Sequence, residues 1–440
     1  MASTYLSWTP SNTGTRTTFT WSFWVKRNAI GSYQKIHDAD YNNDANYYCS
    51  LFFKNDDTLV MSNIDAGSTN INWATTRKFK DITAWYHIVV TFDTTNGTAN
   101  DRIRCYVNGE RETLTGTFAV AQGTDNTFWN RSGNKNWIGA KSVSVSDYLD
   151  ANLSHFYFID GTAYDASAFG STDATTGEWK INTSPSVTMG TNGFLILKDG
   201  ITVTDQSSNS NNWTVAGGTL TKTEDCPSNI FATLNALDNH YASSTFSYGN
   251  NNVVFNNTNE CFNYSTLGMS SGKFYFEGKQ ISYGSASERN YFGVTHSPPD
   301  ASTDWLGNNN YSWGYRSDGK VYNSGQLQGT YSSFANGDII GVALDVTNSK
   351  VYFSKNGVWQ NSADPAAGSN GLSVNANKTY FFAVGETTGG SGVESATNFG
   401  NGYFKTTAVS SAGTNASGNG IFEYDVPTGF TALSTKGLNT

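Results

Sequence analysis

Charge is what this 440-residue chain has least of. Only 14 % of its residues are Asp, Glu, Lys or Arg, and 36 acidic residues outnumber 27 basic ones, a net charge of −9. No Lys/Arg cluster breaks that balance. Without an electropositive groove, nucleic acid is excluded as a default partner. No run of about 20 apolar residues occurs, which argues against a spanning helix and membrane insertion. The opening MASTYLSWTPS has neither the basic n-region nor the apolar core of a signal peptide, so none is expected to route the chain as given. Cysteine is also sparse. Cys49, Cys105, Cys226 and Cys261 show no paired metal spacing. Cys105 is in phase with Ile103 and Val107, and Cys49 with Tyr47 and Leu51, so both read as buried thiols. A Cys49–Cys105 disulfide stays open.

What is abundant points one way. Aromatics reach 14 % and glycines number 44 against 7 prolines. Short alternating strands broken by Gly, Asn, Asp and Ser turns dominate, and no stretch has the period of a long amphipathic helix. Only turns near Tyr164–Phe169 invite a helical reading. The fold class is therefore all-β. In Phe19–Arg27, Phe19, Trp21, Phe23 and Val25 share one face, with Thr20, Ser22, Trp24 and Lys26 on the other. Trp85–Asp93 leads to Arg102–Glu112, a strand with an Asn108-Gly109 hairpin signal. Gly337–Gln360 repeats the device: Ile340, Val342, Leu344 and Val346 alternate, and Asn356-Gly357 supplies the two positive-φ residues of a type I′ turn. At 440 residues, two domains of about 200 each are expected. The spacing predicts domains over 1–221 and 241–440, joined by a linker at 222–240. Cys226-Pro227 favours an extended entry there, and a helical turn at Phe231–Leu237 is an option.

Chemistry finds little purchase. A retaining glycosidase needs two carboxylates about 5–5.5 Å apart. No Glu-x-Asp-x-Glu triplet occurs, and Glu110 and Glu112 read as solvated charges on a hairpin arm, as Asp318 does in its Asp-Gly turn. His87 shares a face with Trp85 and Val89. With His155 in the Leu153–Phe158 strand, it reads as a structural histidine. His37, His240 and His296 are scattered, so no nucleophile–base–acid set emerges. Asp38, Asp40, Asn42 and Asp44 imitate a calcium loop, but Asn43 stands where its glycine belongs and Cys49 where its glutamate belongs. A non-enzyme without a cofactor is expected.

Binding residues are sought in loops. Ser297–Ser312 mixes Trp305 and Tyr311 with Asp304, Asn308, Asn309 and Asn310, side chains that suit sugar faces and hydroxyls or a peptide backbone. The competing reading folds Trp305 into the core and leaves the Asn run to turn the chain. Trp313, within a strand, reads as core. Phe128–Trp137 is a comparable loop, with Trp129 and Arg131 as candidates.

Several segments resemble known families. GDIIGVALD before FSKNGVW, preceded by SGKFYFEGK, YFGVTHS and SWGYRSDGKVYNSG and followed by YFFAVG, resembles the SPRY domain across Tyr241–Phe404. That resemblance implies a partner-binding β-sandwich with no chemistry. The zinc-spaced and coiled-coil segments of ubiquitin-ligase versions have no counterpart here. FTWSFWVKR, WYHIVVTFD, RIRCYVNGERE, WIGA and ANLSHFYFIDGTAY resemble the laminin-G-like, concanavalin-A-like jelly roll, with DQSSNSNNWTV as its closing strand. The resemblance implies two jelly-roll sandwiches in tandem and one structural calcium at the first one's rim, for which Asp38, Asp40 and Asp44 are the candidates. A solvated loop is the simpler reading. The ending Tyr424-Asp425-x-Pro427-x-Gly429-Phe430-x-x-Leu433, behind this domain order, resembles virion structural proteins of tailed bacteriophages. It implies a tail- or head-fibre component in the virion, assembled in the host cytoplasm. Its implied partners are other virion proteins and a host-surface glycan or protein, and a homo-oligomer stays open. The alternatives are a purely structural decoration protein and, behind it, a polysaccharide-degrading enzyme.

Overall fold

The computed structural model describes residues 3–125, 128–239, 243–255, 260–284, 289–387 and 392–439. The chain divides into two compact units, Met1–Lys222 and Thr223–Thr440. Each is an antiparallel β-sandwich, so the all-β tandem architecture expected from the alternation is the one observed. Among the described residues the one α-helix is Thr435–Leu438, and no helix is long and apolar enough to cross a membrane. A 3-10 turn at Ala166–Ala168 accounts for the helical signal near Tyr164.

In the first unit one sheet runs in the order Leu114–Thr117, Ser68–Lys78, Thr58–Asp65, Tyr48–Phe53, Gln34–Asp40, Lys135–Ile138, Tyr5–Trp8, Thr214–Gly217. The last pairing joins the closing strand to the first. The second sheet is Phe194–Ile196, Ala151–Asp160, Thr18–Arg27, Tyr86–Asp93, Ile103–Val107, Glu110–Arg111. Phe19, Trp21, Phe23 and Val25 meet Leu51, Met61, Ile71 and Trp73 from the other sheet in a single core. Period 2 puts Ser22 and Trp24 on the opposite face. That face is covered as well, by a cluster that includes Val89, Tyr157, Phe169 and Leu195 with Trp179 packed against it. Asn108 and Gly109 hold φ of 49° and 84°, the left-handed pair an I′ turn requires. Cys49 and Cys105 are buried thiols not joined in a disulfide, and Cys49 Sγ donates to Asn63 Oδ1 at 2.7 Å.

In the second unit Lys273–Ser282 pairs with Ile339–Asp345, which pairs in turn with Lys350–Lys355. The facing sheet includes Phe262–Tyr264, Phe381–Glu386, Asn290–Thr295 and Ser312–Arg316. Phe276, Val342, Leu344, Phe353 and Phe382 fill the space between, with Trp313 in the same core. The stretch expected as a linker supplies part of this unit's interior: Phe231, Ala232 and Leu234 are buried, and Phe231 and Leu234 bridge to Ser434 and Ser265. The helical option at Phe231–Leu237 is not taken, because the backbone there pairs with other segments. The C-terminal stretch lies on the outer face of the larger sheet, where Phe422, Val426 and Phe430 pack with Phe231, Tyr275, Ala343 and Tyr352.

Candidate functional site

The loop Tyr41–Tyr47 links the strands Gln34–Asp40 and Tyr48–Phe53. Its shape is set locally. Asn42 and Asn43 hold φ of 56° and 59°, which asparagine tolerates better than most residues. Asp40 Oδ1 accepts from Asn43 N at 2.6 Å, and Asp44 Oδ1 accepts from Asn46 N and Nδ2 at 2.9 and 3.0 Å. Tyr41 is thereby left 40 % exposed. The second contributor is the loop starting at Phe128. Asn130 Nδ2 donates to Asp160 Oδ1 at 2.6 Å, Gly14 N to Asn130 O at 2.9 Å, and Asn134 Nδ2 to Phe128 O at 3.1 Å. Arg131, held on this frame, extends over the Tyr41 ring at 5.2 Å.

Together they form a cleft of about 350 Å³ lined by Tyr41, Asn42, Asp44, Tyr47, Asp65, Phe128 and Arg131. Tyr47 meets Tyr41 and Phe128 edge-on at 6.3 and 6.2 Å. Aromatic faces beside planar amide, carboxylate and guanidinium groups can stack on a sugar ring and bond its hydroxyls. Of the residues singled out in sequence, Asn42, Asp44 and Arg131 are brought together here.

Trp129 is not. It is fully buried, 4.2 Å from Trp21 and 5.5 Å from His37 by ring centroid, so it supports the loop from below and offers no face to a ligand. The three calcium candidates are not brought together either. Asp38 is buried, accepting from Ser142 N at 2.8 Å and Oγ at 2.5 Å, with Lys35 Nζ 3.8 Å away. Asp40 and Asp44 cap separate turns of their own loop. Among the described residues no three His, Cys, Asp or Glu side chains gather closely enough to hold a metal.

In the second unit the Ser297–Ser312 loop closes on itself. Asp304, 1 % exposed, accepts from the Tyr311 hydroxyl, from Asn309 Nδ2 and, at 3.2 Å, from Asp300 N. Burial pushes its carboxyl above the usual range, and those donors pull the other way. Trp305 is half-buried, stacked on Tyr291 at 5.5 Å and edge-on to Tyr322 at 5.3 Å. Asn308 bonds Thr303 O at 3.2 Å, and Asn310, which is exposed, accepts from Asn375 at 2.9 Å through its carbonyl. Asp304, Asn309 and Tyr311 are thus turn-forming groups with internal partners.

The groups weighed for catalysis are engaged elsewhere. Trp179 Nε1 donates to His87 Nδ1 at 3.0 Å, so the ring proton sits on Nε2 and points at Ser22 Oγ, 2.9 Å away. Burial pushes this imidazole down to about 3, and it stays neutral. A histidine donating to the serine cannot take that serine's proton. Glu112 accepts from Arg77 Nε at 2.6 Å and Glu110 lies 3.6 Å from the same guanidinium, so Glu112 is ion-paired where a solvated charge was expected.

Residues 1–166 match a laminin-G-type model described as the concanavalin A-like lectin/glucanases superfamily. Residues 273–367 match the SPRY domain. Both are binding-type domains, and they occur in the order read from sequence. No curated protein matches the chain. Among solved structures, the chain is similar to the SPRY domain of human HERC1 (21 % identity, 35 % of this chain and 91 % of that one, TM-score 0.30). It is also similar to a heptameric SAP-like pentraxin from Limulus polyphemus (16 % identity, 44 % and 89 %, TM-score 0.30). A third is mouse laminin alpha1 domains LG4-5 (10 % identity, 86 % and 79 %, TM-score 0.28).

The laminin-G-type match spans the Tyr41 loop and the Phe128 loop alike, so the cleft belongs to that part of the chain. Tyr41, Tyr47, Asp65 and Phe128 were not singled out in sequence. The available signal was the pair of tyrosines flanking an Asn/Asp-rich turn, which reads simply as a solvated loop until the Phe128 segment is placed beside it.

Proposed function

We propose that this chain is a non-catalytic recognition component of a bacteriophage particle, a fibre-type appendage protein that meets a host-surface glycan through the rim cleft of its first unit. The cleft carries the recognition reading: three aromatic side chains and four hydrogen-bonding ones converge on one concave site built on rigid strands. The particle assignment draws its support from the Tyr424–Leu433 ending behind a laminin-G-like and SPRY order. Neighbouring virion proteins would be its other partners, the virion its location, and identical copies would be displayed together. Weak single sites then suffice, because many copies convert low affinity into avidity.

The test is binding of the purified chain, wild type and variants, to intact host cells and a glycan panel. Tyr41→Ala, which removes the exposed stacking face, is expected to weaken saturable binding roughly tenfold. Trp305→Ala, whose ring already rests on Tyr291, is expected to leave it unchanged. Unchanged attachment in Tyr41→Ala would sink the cleft reading. Absence of binding even for clustered protein would favour a decoration role, and sugar release from host envelope would favour an enzyme.

A further inference from the structure

Within the cleft one side chain stands apart. Every residue around Arg131 that shapes the loop is tied down, but the Arg131 guanidinium makes no hydrogen bond or ion pair among the described residues. It lies over the Tyr41 ring, 5.2 Å away. Arg27, Arg77, Arg111 and Arg316 each reach a carboxylate at 3.0 Å or less, whereas Arg131, like Arg104, forms no ion pair among the described residues. Asp44 and Asp65 line the same cleft, yet neither lies within ion-pair distance of Arg131. Asp44 is turned to Asn46.

A guanidinium on an aromatic face, with its planar edge uncommitted, is preorganised for bidentate contact with a planar anion. The cleft's two carboxylates, Asp44 and Asp65, cannot recognise an anion. They accept hydrogen bonds from hydroxyls. Tyr41, Tyr47 and Phe128 supply the apolar wall for C–H faces. At about 350 Å³ the site falls at the small end of ligand pockets, room for a terminal sugar and little more.

We propose that the cleft selects an acidic sugar, with Arg131 taking the ring carboxylate, Asp44 and Asp65 accepting the hydroxyls, and Tyr41 stacking on the ring. This rests on reading the cleft as a glycan site. A singly charged carboxylate is favoured over a phosphate, because two aspartates in the same cleft repel a dianion more strongly.

The test presents methyl glucuronide and methyl glucoside, identical except at C6, on multivalent surfaces to the full chain. A glucose 6-phosphate surface is the third arm. The glucuronide surface is expected to bind at least tenfold better than the glucoside, less well as salt rises, and better than the phosphate. Arg131→Ala and Arg131→Gln are expected to abolish the preference with an unchanged melting temperature, since the side chain makes only a ring contact. Equal binding of glucuronide and glucoside, lost in Tyr41→Ala and indifferent to Arg131→Gln, would overturn the proposal while leaving the glycan site intact. A preference for phosphate would overturn the carboxylate assignment. Silence of all three surfaces, with binding elsewhere on a glycan panel unaffected by Tyr41→Ala, would overturn both.

Discussion

Alanine at Trp129 is expected to destabilise the first unit by about 3–5 kcal/mol, the usual cost of emptying a large aromatic from a closed core. The ring is fully buried and sits edge-on to Trp21 at 4.2 Å and to Phe19 at 6.5 Å, with His37 stacked at 5.5 Å. Its indole N–H meets no acceptor among the described residues, so packing is what the substitution removes. For a unit of this size the melting temperature should fall by roughly 6–20 °C. Glycan binding should fall with it, because Phe128 and Arg131 stand on the same short loop. Trp129→Phe is expected to recover most of both. A Trp129→Ala chain that melts like wild type but no longer binds would instead make this tryptophan a ligand contact, contrary to its burial.

The second large effect is expected at Glu277, the buried carboxylate that holds the C-terminal stretch to the second unit. It accepts from the backbone N–H of Glu423 and of Tyr424, both at 2.9 Å, from Tyr275 Oη at 3.2 Å and from Asn398 Nδ2 at 3.3 Å. Burial nevertheless outweighs these donors and pushes its carboxyl up to about 7 from 4.5. A raised folded value means the folded chain holds the proton more tightly than the unfolded one. The stabilisation is complete below about pH 4.5 and is lost as pH rises through about 7, a swing of roughly 3 kcal/mol. Glu277→Ala, which strands two backbone donors, should cost about 3–5 kcal/mol. Glu277→Gln does not titrate, and its NH₂ group would face a backbone N–H. The stability difference between wild type and Glu277→Gln, from urea unfolding, is expected to be largest near pH 4.5 and to shrink by pH 8. A difference constant across that range would contradict the account.

The fold was legible where one periodicity had one consequence. Phe19, Trp21, Phe23 and Val25 alternate and all four face the core, and Asn108-Gly109 and Asn356-Gly357 turn the chain because few other residues hold two successive positive φ angles. Pattern says less about what covers an outer face. Trp24 and Ser22 alternate as solvent residues would, and their burial depends on a hairpin more than 140 residues away, carrying Trp179. The site shows the same limit. Arg131 and Asp44 could be nominated as loop residues, but their meeting depends on strand register, with Asp40 beside both Tyr48 and Lys135. Trp129, next to Phe128 and two residues from Arg131, has the composition of a binding residue, and only its neighbours Trp21 and His37 reveal it as core. The Asp304 loop is ambiguous in sequence for a related reason. Asn, Asp and Tyr are the residues that bind sugars, and they are equally the residues that satisfy one another in a tight turn.

The central claim is that recognition takes place at the rim cleft of the first unit. Hydrogen–deuterium exchange of the full chain, free and bound to its preferred glycan surface, tests it most directly. Protection is expected in 40–48 and 128–134, with 300–312 unchanged. Protection confined to 300–312, with the first unit's loops exchanging as in the free chain, would contradict it.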